Sequence, residues 1–76
     1  MIRFFEAEDK IEIAKLAADF VGKDFDSEEF GLLFDEIIDG SPDECGIAVL
    51  HAGEYLGYCL AHTTEDEFII HQLYIK

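Results

Sequence analysis

The run Phe68-Ile69-Ile70-His71-Gln72-Leu73-Tyr74-Ile75-Lys76 limits the possible folds more than any other stretch. It is apolar and β-branched, with polar residues only near its middle and at its end, and it reads as a strand buried on both faces. Such a strand belongs inside a sheet that has covering layers on both sides. Because the run stops at Lys76, the expectation is that something beyond these residues completes its surroundings.

The 76 residues make one small domain, a size at which folding buries only roughly 60% of the surface the unfolded chain exposes. Half of the residues are hydrophobic, enough for a core and too many for a disordered acidic tail. Eighteen acidic residues against five basic ones give a formal charge of −13. No stretch gathers the Lys or Arg cluster that phosphate contacts need, so no nucleic-acid partner is expected. The same charge repels a phosphorylated ligand unless backbone amides or another chain supply a positive field. No segment reaches the ~18 apolar residues of a membrane span, and Met1-Ile2-Arg3-Phe4-Phe5-Glu6 lacks the apolar core of a signal peptide. No membrane partner is expected, and the chain reads as cytoplasmic. In that setting Cys45 and Cys59, without C-x-x-C spacing, read as two reduced and largely buried thiols, although they flank a predicted hairpin and could approach across it.

Residues 2–5 form a short apolar run that opens as strand β1. Over residues 8–21 apolar residues recur at helical spacing (Ile11, Ala14, Ala17, Ala18, Val21, widened by Ile13, Leu16 and Phe20), giving helix α1, with Gly22 placed for a left-handed cap. After the linker Lys23-Asp24-Phe25-Asp26, either Asp26 or Ser27 can cap helix α2 over residues 27–39. In it Phe30, Leu33, Phe34, Ile37 and Ile38 make one stripe, and Gly40-Ser41-Pro42 ends it. Residues 46–51 and 55–63 read as strands β2 and β3 of a hairpin, with Gly53 able to take positive φ in the turn. Gly57 inside β3 suggests a bulge or a close backbone approach, and β4 follows over residues 68–75.

The expected fold is α+β in the order β-α-α-β-β-β: a four-stranded, mainly antiparallel sheet with both helices on one face. The other face has no predicted cover. A strand as apolar as β4 at such a sheet's edge is an association hazard, so either a homodimer or a missing piece of chain is expected.

In this order the residues resemble the N-terminal half of a GNAT-superfamily N-acetyltransferase. The resemblance rests on Ile2-Arg3 followed by a polar stretch and Glu8-Asp9, on the helix pair, on Gly53-Glu54-Tyr55-Leu56-Gly57-Tyr58 in the hairpin, and on the closing Leu73-Tyr74-Ile75. It covers essentially all of the chain, and the joint order of the pieces carries it. It implies transfer of an acetyl group from acetyl-CoA to a small-molecule or peptide amine.

In that family a loop of pattern Arg/Gln-x-x-Gly-x-Gly/Ala and a helix follow β4, and the helix amides hold the pyrophosphate. The 76 residues include no such loop, so acetyl-CoA is not expected to bind tightly to this chain alone, and no acetyl transfer is expected from it. By resemblance the backbone of Leu73, Tyr74 and Ile75 holds the pantetheine arm, and the connection from Gly22 to Asp26 helps form the acceptor pocket. Asp24, Phe25 and Asp26 there, with Gln72, are the candidate substrate-binding residues; capping and solvation are the simpler role for each acidic one. Relatives often place a carboxylate base near this part of β4, where this sequence has His71 and Gln72. His71 has a suitable intrinsic pKa and is the candidate base, against a simpler role as a hydrogen-bonded core residue. The alternative to an enzyme fragment is a non-catalytic module that pairs through the exposed side of β4.

His62 and His71 lie at nearly mirrored distances from the turn at residues 64–67, so a one-residue change of register decides whether they face each other. A facing pair could begin a metal site with Cys59 or a turn carboxylate, but the spacing matches no established ligand pattern and no metal is assigned. The acidic run at residues 24–29 lacks EF-hand spacing, and no Gly-x-Ser-x-Gly elbow or Walker loop is present.

Overall fold

The computed structural model describes Met1–Lys76. Its order is β1 (Ile2–Phe4), a 3-10 turn (Ala7–Asp9), α1 (Lys10–Val21), a second 3-10 turn (Gly22–Asp24), α2 (Ser27–Ile38), β2 (Glu44–His51), β3 (Glu54–Thr63) and β4 (Phe68–Ile75). All neighbouring strands are antiparallel and lie in the order β1-β2-β3-β4, the α+β arrangement expected from the sequence.

Local chemistry accounts for the helix boundaries. The Asp26 carboxylate accepts the amides of Glu28 and Glu29 at 3.1 and 3.0 Å, so Asp26 rather than Ser27 caps α2. Gly22, with φ of 82°, ends α1, and the chain continues into a 3-10 turn where the sequence suggested only a linker. Ile13, Leu16 and Ala17 of α1 are buried, whereas Ile11, at the head of the expected stripe, is exposed. The buried face is centred about half a turn from Ile11, on Ile13, Leu16 and Ala17.

Both helices lie on one face of the sheet. Phe30 and Phe34 of α2 join Ile13, Leu16 and Ala17 over Ala48, Tyr58 and Leu60. Phe5 enters this core from β1, stacked on Phe34 at a centroid distance of 5.0 Å. The ring lies flat over Gly46, where a Cβ would come within 2.2 Å of it. Only glycine at position 46 lets Phe5 reach the core.

The register assigns the other face residue by residue. The cross-strand rows Ile2–Val49–Gly57–Ile75 and Phe4–Ile47–Cys59–Leu73 alternate with the helix-covered row Arg3–Ala48–Tyr58–Tyr74, so they point away from the helices. Phe4 is 70% exposed and Leu73 57% exposed. The reading of β4 as buried on both faces is corrected here: β4 is an edge strand in which only Gln72 and Tyr74 are half-buried. Its helix side is covered only at those two residues, and nothing in the chain covers the opposite side. Cys45 and Cys59 are free and part-buried on this same face, where burial, with Cys45 nearby, raises the Cys59 thiol above its ordinary value.

One carboxylate ties the sheet to the first helix. Asp9 is fully buried and takes two bonds from the Arg3 guanidinium, at 2.7 and 2.9 Å. It also accepts the Glu6 amide at 2.7 Å and the Tyr55 hydroxyl. Burial opposes its charged form, but the bonds from Arg3, Tyr55 and the Glu6 amide outweigh that and hold the carboxyl below its usual range. Its bond to Asp9, helped by burial, raises the Tyr55 phenol. No buried side-chain polar atom in the chain lacks a partner.

The β2–β3 turn is a two-residue loop, with Ala52 at φ 51° and Gly53 at φ 82°. Positive φ at both residues matches the strand twist, but an alanine there is strained. The extra residue of the adjacent bulge is Leu56, and at its neighbour Gly57 a Cβ would sit 2.3 Å from the Tyr74 carbonyl oxygen. The close approach expected at Gly57 is therefore made by β4.

Two stability predictions follow from these contacts. Asp9→Asn leaves Arg3 with only the more exposed Glu6 carboxylate, 3.3 Å away, as counter-charge, and should cost about 2–3 kcal/mol in urea unfolding at neutral pH. Because the folded carboxyl titrates below the unfolded value of about 3.9, this stabilisation is complete above that value and disappears as pH falls through the folded pKa. The gap between wild type and variant should therefore close in acid. Ala52→Asn relieves the turn and should raise stability by about 0.5–1 kcal/mol in the same assay.

Candidate functional site

Where α1 ends, the chain turns over the edge of the sheet and leaves a cleft of about 330 Å³ between the α1–α2 connection, α2 and β4. Its floor is apolar: Phe25, Phe30 and Leu60, with the Phe25 and Phe30 rings 5.7 Å apart. Its rim carries the exposed carboxylates of Asp24, Asp26 and Glu29, and Gln72 of β4 closes the inner end. A larger groove of about 460 Å³ between α1 and the β2–β3 turn is lined mostly by charges of both signs, such as Glu12, Lys15, Asp19 and Lys76. The smaller cleft has the apolar floor and the few convergent polar groups of a ligand site.

Gln72 is held rather than free. The Tyr58 hydroxyl donates to its side-chain oxygen at 2.6 Å. Burial, with Tyr74 alongside, pushes the Tyr58 phenol up to about 12, so it remains a donor at any physiological pH. With its oxygen engaged, the side-chain groups Gln72 has left are its amide N–H donors, and the residue lines the cleft.

The fold thus gathers Asp24, Phe25, Asp26 and Gln72, the four candidate substrate-binding residues, around one cleft. Leu73, Tyr74 and Ile75 follow directly along β4. Tyr74 packs on the helix side, 5.7 Å from Phe20 and 6.3 Å from Tyr58, while Leu73 and Ile75 lie on the uncovered face. The backbone edge of β4 that does not pair with β3 has no partner in the chain.

His71 stands apart from these residues and does not line the cleft. The register jumps between Leu60 and Ala61, so that Gln72 pairs with Leu60 and Ile70 with Ala61, leaving His71 as the inserted residue of a bulge. Its ring lies 5.9 Å from that of His62. Sequence reasoning missed Glu29, Phe30 and Leu60 as parts of the cleft, and Tyr58 as the residue that holds Gln72. Alternation along β3 puts Leu60 on the same face as Tyr58, but only the register brings it opposite Gln72.

The acyl donor implied by the resemblance fits this chain in one part only. The free edge of β4 offers unpaired backbone groups of the kind that a pantetheine arm takes. For the pyrophosphate there is no match: Lys76, just after β4, lies 3.6 Å from Glu54, and the chain's net charge is −13. No helix in the chain is long and apolar enough to cross a membrane.

No protein-family model matches the chain, and no curated protein matches it. Among solved structures it is similar to the aminoglycoside 6'-N-acetyltransferase from Enterococcus faecium, with a TM-score of 0.72 and 15% identity over 100% of this chain. The match covers 43% of that enzyme, so this chain spans less than half its length. The fold of this chain is accordingly similar to that of part of the Enterococcus enzyme.

Proposed function

We propose that this chain forms the acceptor-side part of an acetyl-CoA-dependent N-acetyltransferase, with the grip on the donor's phosphates supplied by other polypeptide. The observation that carries the reading is the cleft: an apolar floor with an acidic rim, opening against the free edge of β4. When bound, acetyl-CoA supplies the activated acyl carbonyl. The residues present here act on the amine. Asp24, Asp26 and Glu29 draw a cationic amine to the rim, Phe25 and Phe30 exclude water beneath it, and the Gln72 amide donates to a hydroxyl of the acceptor. A hydroxylated amine of the class named for the Enterococcus enzyme suits these groups. His71 is given no role in proton removal, because it lies outside the cleft.

The uncovered face and the free edge of β4 also favour the second reading, a non-catalytic module that takes another chain along β4. Acetyl-CoA titration separates the two. The 76 residues alone should bind it very weakly and show no turnover, whereas a longer polypeptide that joins these residues to a donor-binding loop should bind it and acetylate an amine. In that longer protein, Asp24→Asn with Asp26→Asn keeps the cap on α2 and should raise KM for the amine by roughly tenfold, about 1.4 kcal/mol. The effect should shrink at high salt. An extended product that ignores acetyl-CoA would overturn the enzyme reading.

A further inference from the structure

We propose that Glu44, His62 and His71 form a binding site for a divalent transition-metal cation of zinc type at the end of the sheet where β2, β3 and β4 meet. Three observations converge on it. Glu44 and His62 are direct cross-strand partners, and the Glu44 carboxylate lies 3.0 Å from His62 Nδ1. The bulge in β4 supplies the third group. Extending the pairing of Leu60 with Gln72 by strict alternation would put His71 opposite Ala61, on the face away from the helices. The inserted residue instead brings the His71 ring to His62, on the helix side of the sheet.

The ligand atoms of all three residues lie within 4.8 Å of one another. A tetrahedral ion with bonds of 2.0–2.2 Å needs ligand separations of about 3.4 Å. The exposed His71 side chain can close that difference by rotation. Two imidazoles and one carboxylate suit zinc and its neighbours rather than calcium or magnesium, which take oxygen ligands. Two imidazole rings and a carboxylate converge there, a donor set that suits a positive charge. The −13 net charge of the chain adds a long-range attraction. The third ligand is Glu44, at the start of β2, rather than Cys59 or a carboxylate of the β3–β4 turn. Filling the site would fasten β4 to β2 across β3 at the end of the sheet.

The site is independent of any acetyl transfer and is tested on the 76-residue chain itself with ZnCl2 and CoCl2. Calorimetry should show a single equivalent of Zn²⁺ bound. Co²⁺ should give the intense visible bands of a four-coordinate ion, and Zn²⁺ should raise the thermal midpoint. His71→Ala removes an exposed side chain and should leave the fold, read by circular dichroism, unchanged. It should weaken Zn²⁺ by more than about tenfold, the scale on which even residues behind the ligands act. Glu44→Gln should do the same, while His51→Ala, at the far end of the β2–β3 hairpin, should have no effect. The proposal is overturned if Zn²⁺ fails to bind, if His71→Ala and Glu44→Gln bind it as well as wild type, or if Ca²⁺ displaces it at equal concentration.

Discussion

A sheet whose helices all lie on one side leaves half of its side chains facing outward, and here those side chains are apolar. Ile2, Phe4, Leu73 and Ile75 stand in rows across the uncovered face, joined by Ile47 and Val49 between them. Antiparallel sheets with one wet face ordinarily alternate apolar and polar residues along each strand. β4 does not. Its sequence is written for contact on both sides, and its outer backbone edge is unpaired as well. The same strand presents Gln72 to the acidic cleft and its open edge to whatever lies beyond, so the unsatisfied surface and the candidate site are one structural feature.

The covered half is well resolved energetically. Phe5, Phe30 and Phe34 give the core its rigid aromatic contacts. The buried Asp9 carboxylate then fixes where α1 starts relative to β1 and β3, because its partners come from the β1 side chain Arg3, the Glu6 backbone and Tyr55 of β3. An ionised carboxylate without exposure is tolerated only because every bond it needs is made. By orienting α1, that cluster also places the end of the helix, and with it the connection that carries Asp24 and Phe25.

Much of this was legible from the residues. The stripe in α2, the Gly40-Ser41-Pro42 stop and the β2–β3 hairpin follow from periodicity and turn chemistry, and the adjacency of β2, β3 and β4 follows from short connections, whereas the place of β1 beside β2 does not. The resemblance then picked out Asp24, Phe25, Asp26 and Gln72, which the fold gathers around one cleft. Other features depend on long-range geometry that a linear pattern does not carry. Asp9 resembles any acidic residue at a helix start until Arg3 and Tyr55 are seen to converge on it. The bulge at His71 leaves no mark in composition, yet it decides which face the ring occupies, and Glu44 becomes its neighbour only through the register of two strand pairs. The exposure of β4 was misjudged because an apolar run records the environment a strand was shaped for, not the one these residues provide.

The central claim is that β4 is an edge lacking a neighbour, and residue-level amide hydrogen exchange on the isolated chain, kept dilute enough to remain monomeric, tests it most directly. The account predicts strong protection through β2 and β3, with alternate amides of β4 exchanging at rates close to those of an unstructured chain. Uniform protection along Phe68–Ile75 in the monomer would contradict it, because every amide of the strand would then already have a partner within these residues.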